Sequence, residues 1–398
     1  MNTSFQSHLE TEIQGHKKAG TLKELRHLDA PMSAHTNMRE AGGEVVVLSS
    51  NNYLGLANHP HVVASAKEAL EKYGNGTASV RFICGTMTIH EELEEKLSKF
   101  HGTESCMTYP SCWSANTGLF PTICKPGDVL LSDELNHASI IDGCRLVSKA
   151  VQRDVYKHSD MADLEVKLKA SQDAPNRFVV TDGVFSMEGD IAKLPELVKL
   201  CKAYNAVLIV DDCHGVGVLG GTGKGIIEHF GLEGQVDIIT GTVGKALGGA
   251  AGGYICGSKE LTQLLVQNSR PHLFSNAISP ATAGGTIGAL EALEKEPELM
   301  AKLHANVKQM RDGLKALGFK PLDGESAIIP IIVGDTALAI QMADEMLKQG
   351  FFVTGFGFPV VPEGTARLRI QMSAALSELD ISNALDALAI IGKKHDLI

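Results

Sequence analysis

Apolar residues crowd together at three places in this chain, at 178–180, 206–210 and 236–239, the last broken only by Asp237. Each run gives way to polar residues: Thr181 and Asp182; then Asp211, Asp212, Cys213 and His214; then Thr240, Thr242 and Lys245. Aliphatic and β-branched runs of this length predict strands buried on both faces, as in a parallel sheet. Ligands of such sheets gather beyond the carboxyl ends of the strands, so Ser186, Asp211, His214 and Lys245 are expected to converge on one crevice.

Elsewhere the period is mostly helical. Over 4–28 the apolar positions Phe5, Leu9, Ile13, Leu22 and Leu25 are sparse and near helical spacing, as in an arm that packs on something else. Residues 61–73, 194–204, 281–293, 300–317, 336–348 and 381–391 read as helices, and 90–100 as an amphipathic one with Leu93, Leu97 and Phe100 on one side and Gly102 past its end. Short strands are expected at 45–48, 128–133, 252–255, 328–333 and 351–353, with a further helix beginning at Leu135. Over 366–372 the alternation has period two, which puts Arg367 and Arg369 on one face of a strand. The division expected is an N-terminal arm and strand (1–57), a large α/β domain (58–290) and a smaller C-terminal α/β domain (291–398).

Composition narrows the functional classes. Of 398 residues, 44% are hydrophobic and 21% charged, an ordinary globular balance, and the net charge of -11 opposes a nucleic-acid or anionic-membrane surface. No stretch has the apolar length of a membrane span, and the eight cysteines show no metal-site spacing. The expectation is a cytoplasmic protein with reduced thiols, no metal, and no nucleic-acid or membrane partner.

Lys245 lies among Gly, Ala, Val and Leu, which solvate an ammonium poorly, and that is a setting for a nucleophilic lysine. A lysine, an aspartate and a histidine at strand ends match what pyridoxal 5′-phosphate requires: an amine for its aldehyde, a carboxylate for its pyridine nitrogen, and donors for its ring oxygen and phosphate. His137, which follows a strand end, is placed to lie over a planar ring. Residues 109–116 read as a turn opening a helix, whose free N–H groups suit a phosphate. A P-loop is the rival, and it fails twice: around Lys224 the first glycine is replaced by Val218 and Gly225 follows, and around Lys245 those places hold Ile239 and Ala246.

These residues resemble the α-oxoamine synthases, within the fold-type I pyridoxal-phosphate enzymes. The likeness covers nearly the whole chain through Ser50-Asn51-Asn52-Tyr53-Leu54-Gly55, Asn136-His137-Ala138-Ser139, Asp211-Asp212-Cys213-His214-Gly215 and Thr242-Val243-Gly244-Lys245-Ala246. It implies an α/β transferase fold, with a mostly parallel central sheet flanked by helices in the large domain and a smaller C-terminal α/β domain. It makes Lys245 the lysine that bonds the cofactor, Asp211 the partner of the pyridine nitrogen, and His214 and Ser186 the groups at the ring oxygen. His137 would stack on the ring. Backbone groups of Cys112 and Trp113 with the Thr242 hydroxyl would hold the phosphate, helped by Ser275 and Asn276 from the second subunit of a homodimer with shared active sites. Arg369 would pair with the substrate carboxylate, near Asn51 and His137.

The segments 79–86, 181–189 and 269–276 look most like the branch that condenses glycine with acetyl-CoA to 2-amino-3-oxobutyrate and CoA, or cleaves that product, in threonine and glycine metabolism. Sister enzymes join longer acyl thioesters to other amino acids with loss of carbon dioxide. Cys213 stands where this branch is expected to have serine. On a continuing strand Asp211 and Cys213 share a face, so His214 enters the crevice only if the chain turns at Gly215. A non-catalytic scaffold on the same fold is the other reading, and the joint presence of Lys245, Asp211, His214 and His137 opposes it.

Overall fold

A computed structural model describes residues 2–398. Its strands, in chain order, are β1 (His35–Met38), β2 (Gly43–Val47), β3 (Ser105–Tyr109), β4 (Val129–Asp133), β5 (Gln152–Tyr156), β6 (Arg177–Asp182), β7 (Val207–Asp211), β8 (Ile238–Thr242), β9 (Gly253–Gly257), β10 (Ile328–Gly334), β11 (Phe351–Phe352), β12 (Thr354–Phe356) and β13 (Ala366–Gln371). The three apolar runs are β6, β7 and β8, and they lie side by side in a seven-stranded sheet of order β3-β9-β8-β7-β6-β4-β5. Only β9 runs against the rest.

The runs are continuous because both faces of the sheet are covered. Val179, Leu208, Val210 and Ile239 enter one apolar cluster, while their neighbours Phe178, Val180, Ile209 and Ile238 enter another. Each such side chain stabilises the fold by about 1.5–3 kcal/mol. β5 closes the sheet as an edge strand with only Tyr156 buried, so its polar sequence carries no strand pattern.

The C-terminal part forms a three-stranded antiparallel sheet, β10-β13-β12, whose period-two alternation places Arg367, Arg369 and Gln371 on one face of β13. A third sheet, β1-β2-β11, joins the first fifty residues to this region, because β2 and β11 pair in parallel. The Gln371 N–H donates to the Leu48 carbonyl at 2.7 Å and the Ala374 N–H to the Tyr53 carbonyl at 2.7 Å, so the loop carrying Asn51 and Tyr53 lies along the end of β13. Helix Thr3–Lys18 has no buried side chain, and Phe5, Leu9 and Ile13 stay exposed on it. No helix among the described residues is long and apolar enough to cross a membrane, and all eight cysteines are free thiols.

Candidate active site

β7 delivers Asp211 to the carboxyl edge of the sheet, and the chain then turns. The N–H groups of Gly215 and Val216 both donate to the Asp212 carbonyl, and a Cβ at position 215 would fall 1.9 Å from Asp212 Oδ1, so only glycine fits there. The turn carries His214 back to the Tyr53 hydroxyl, 2.8 Å from Nδ1. The buried Asp211 carboxylate accepts from Asn116 Nδ2 at 2.7 Å and from the Cys213 N–H at 3.0 Å, with Cys112 Sγ at 3.7 Å.

β8 ends at Thr242, whose hydroxyl accepts from the Gly244 N–H at 3.0 Å and donates to the Gly252 carbonyl at 2.9 Å. Thr242 pairs across the ladder with Gly253, and a Cβ at 253 would stand 2.2 Å from the Cys112 nitrogen. Helix Cys112–Ile123 therefore rests its N-terminus on bare backbone beside Thr242. Ser111 Oγ caps it by accepting from the Ser114 N–H, while the N–H groups of Cys112 and Trp113 have no partner within the helix. Such an end attracts an anion. Lys245 follows in the bend after β8, half-buried and without a carboxylate partner among the described residues; its charge acts on Cys112, Cys213, His137 and His214.

His137 is the N-cap of helix Ala138–Arg145, three residues later than the start expected at Leu135. Asn136 explains the delay, because its side chain bonds the Val180 carbonyl and the Asp182 N–H and pins this loop to the end of β6. The His137 N–H donates to Asp182 Oδ2 at 2.7 Å, and its Nδ1 is 2.8 Å from Ser139 Oγ. The ring stands edge-on to Trp113 with centroids 6.1 Å apart.

A chain of hydrogen bonds runs from His214 to Arg369. Gln371 Nε2 donates to the Tyr53 hydroxyl at 2.9 Å and to Asn51 Oδ1 at 2.6 Å, and Gln371 Oε1 accepts from Arg369 Nη2 at 3.2 Å. Arg369 Nη1 donates to the Ser186 carbonyl at 3.0 Å, the guanidinium lies 4.5 Å from the centre of the Phe356 ring, and its buried Nε has no partner among the described residues. Arg367 is closed instead, donating to Glu188 Oε1 at 3.1 Å and to the Met187 carbonyl at 2.8 Å.

Charge in the crevice is tuned mainly by burial. It lowers the pKa of His214 well below the histidine range, reinforced by the positive charges of Lys245 and Arg369, so the ring is neutral. Tyr53 is pushed up to about 12 by burial, against the pull of Arg369. Asp182 is held well above the carboxylate range by burial and by Asp211, and burial takes Asp212 to about 7.

The structure thus gathers Asn51, Cys112, Trp113, His137, Ser186, Asp211, His214, Thr242, Lys245 and Arg369 around the ends of β6, β7, β8 and β13. Ser275 and Asn276 are elsewhere: Asn276 is exposed and bridges Val80, beside exposed Phe82, Ile83 and Phe274. Three members of the network, Tyr53, Asn116 and Gln371, were not among the expected site residues. Gln371 had a signal, since it continues the Arg367–Arg369 alternation.

The residues fit the pyridoxal phosphate that the resemblance implies. The helix end that a Cβ at Gly253 would block suits the phosphate, and Asp211 and Lys245 suit the pyridine nitrogen and the aldehyde.

Comparison with known proteins agrees. The aminotransferase class I and II family profile matches residues 43–388. The mitochondrial 2-amino-3-ketobutyrate coenzyme A ligase of Homo sapiens is 46% identical over 387 residues, 97% of this chain and 92% of that protein. The 8-amino-7-oxononanoate synthase of Thermoanaerobacter pseudethanolicus is 45% identical over 391 residues, 98% of each. A serine palmitoyltransferase solved with PLP as internal aldimine superposes with a TM-score of 0.93 at 30% identity, covering 100% of both chains.

Proposed function

This chain belongs to the aminotransferase class I and II family, in its α-oxoamine synthase group, and from that premise we propose that it condenses glycine with acetyl-CoA to 2-amino-3-oxobutyrate and CoA, and cleaves that product in reverse. The carrying observation is the guanidinium of Arg369, which has no carboxylate partner among the described residues and opens on the crevice of Lys245 and Asp211.

Pyridoxal 5′-phosphate, when bound, supplies a conjugated ring that spreads the charge left on the α-carbon when its proton departs. Lys245 Nζ would hold the cofactor and, once freed from it, would take the α-proton of glycine, which leaves on the sulfur of the expelled coenzyme A. Asp211, fixed by Asn116 and the Cys213 N–H, keeps the proton on the pyridine nitrogen. Tyr53 stays protonated and donates to His214 Nδ1, which puts the imidazole proton on Nε2, where it serves the ring oxygen with Ser186. The N–H groups of Cys112 and Trp113, and the Thr242 hydroxyl once it turns from the Gly252 carbonyl, would receive the phosphate, and His137 would cover the ring.

Arg369 takes the glycine carboxylate. Its fork is preset by the Ser186 carbonyl and Gln371, and the unbonded Nε leaves a two-point donor edge that a lysine lacks. Asn51 braces Gln371 from behind.

The assembly in this reading is a homodimer, in which Ser275 and Asn276 of the partner subunit complete the phosphate site. The exposed Phe82, Ile83 and Phe274 beside Asn276 form the apolar surface such an interface needs. Eight free thiols suit a reducing compartment such as the cytosol.

The test is spectroscopic. Purified protein should be yellow with pyridoxal phosphate, shift on adding glycine, and release free thiol only once acetyl-CoA follows; no visible band under any of these conditions removes Lys245 from the centre. Because the 8-amino-7-oxononanoate synthase is nearly as similar, a second reading is a longer acyl thioester joined to another amino acid with decarboxylation. Rates with acyl-CoAs of rising length against glycine, alanine and serine separate the two.

A further inference from the structure

Two thiols and a carboxylate meet beneath the crevice. Cys112 opens the helix above Gly253, Cys213 follows β7, and their sulfurs and an Asp211 oxygen all lie within 4.8 Å of one another. Cys112 Sγ is 3.7 Å from Asp211 Oδ2. The two cysteines are far apart in sequence, so no C-x-x-C spacing announces the pair.

Cys112 Sγ and Asp211 Oδ2 already stand at the spacing of neighbouring donors in a tetrahedral site, roughly 3.5–3.8 Å for metal–sulfur bonds of about 2.3 Å and metal–oxygen bonds of about 2.1 Å, and the Cys213 sulfur lies within 4.8 Å of both. The carboxylate is already fixed, since Asn116 Nδ2 donates to Oδ2 at 2.7 Å and the Cys213 N–H donates to Oδ1 at 3.0 Å. Outer bonds of this kind orient a ligand before the ion arrives. With Cys112 and Asp211 buried and Cys213 half-buried at the end of a sheet, the three donors need little rearrangement to close on an ion. Closing on an ion requires both thiols to lose their protons, so binding is coupled to proton release.

We propose that the cofactor-free chain binds one thiophilic divalent cation, of the zinc or cadmium class, through Cys112 Sγ, Cys213 Sγ and Asp211, with water as the fourth ligand. The ion takes two thiolates and one carboxylate and displaces two thiol protons to solvent. Asp211 cannot serve the ion and a pyridine nitrogen together, so metal and cofactor exclude each other; this exclusion rests on the function proposed above, whereas the binding itself does not.

The experiment is a titration of the cofactor-free full chain, kept reduced by a phosphine, with Cd²⁺ alone. A sulfur-to-cadmium charge-transfer band should grow to one equivalent with two protons released per ion. Cys213→Ser and Cys112→Ser should each weaken binding on the order of 100-fold. Circular dichroism of the variants confirms that the fold is kept, and Asp211→Asn reports the oxygen ligand independently. No band by one equivalent, or a band unchanged in both cysteine variants, overturns the site. Pyridoxal phosphate added first should suppress the band, and equal Cd²⁺ binding by the loaded protein overturns the shared position. Visible absorption read in the same cuvette keeps the two ideas apart: if pyridoxal phosphate gives none, the functional reading fails while the cadmium result stands or falls alone.

Discussion

Arg367 and Arg369 project from one face of β13, yet Arg367 ends on the Glu188 carboxylate and on the Met187 and Thr365 carbonyls, whereas Arg369 meets only neutral groups and leaves Nε unbonded. The difference is the counter-charge. A buried guanidinium that owns a carboxylate ties two segments together, and one that lacks it is held ready for an anion from outside. The contrast recurs along the large sheet. At the end of β4, His158 sits between Asp133 and Asp190 at 2.9 Å each. At the end of β8, Lys245 has no such partner among the described residues.

Replacing an open charge should cost function, and replacing a closed one should cost stability. The largest effect is expected for Lys245→Ala, which should lose the cofactor's visible band and at least about 10⁴-fold in turnover; substantial turnover would place this lysine with the closed set. Asp211→Asn should keep bound cofactor but lower kcat on the order of 10²–10³-fold, and a near-normal kcat moves the ring-nitrogen contact to another carboxylate. Arg369→Lys should raise the KM for glycine about 10–100-fold with a smaller change in kcat. Arg367→Lys should leave that KM alone and lower unfolding free energy by about 1–2 kcal/mol, read by urea denaturation. If the two variants exchange these patterns, the roles of the arginines are reversed.

The smallest effect concerns His158. Burial opposes its charge, but the bonds to Asp133 and Asp190 outweigh that and raise its pKa to about 10. The folded state thus holds this proton more tightly than the unfolded chain, where histidine titrates near about 6.5. Its contribution, about 1–2 kcal/mol after allowing for solvent at the ring, is complete below about pH 6.5 and fades as the pH climbs towards 10. Urea midpoints of the protein and of His158→Asn should therefore converge between pH 6 and pH 10, and a constant gap removes the clamp.

How much of this was legible in the sequence depended on burial pattern and on charge. β6, β7 and β8 announced themselves because two covered faces demand unbroken apolar runs. Two-sided exposure hid β5, and β3, with Ser105, Thr108 and Tyr109, matched neither template. Lys245, Asp211, His214 and Arg369 stood out as ionisable groups in apolar or alternating contexts. Asn116 and Tyr53 did not, because a neutral side chain acquires its role only from the partner it meets, Asp211 for one and His214 for the other. The proximity of Cys112 to Cys213 was likewise invisible, being created by the way the helix crosses Gly253.

The pairing of β2 with β11 also governs how the protein is made. Val46 and Val47 leave the ribosome long before Phe351 and Phe352, and Asn51 waits 320 residues for Gln371. A nascent chain that stops short of Phe351 shows β2 with one bare edge, a site for mispairing or for a chaperone. The crevice is therefore assembled last, and a prematurely terminated product is inactive and sticky rather than partly competent.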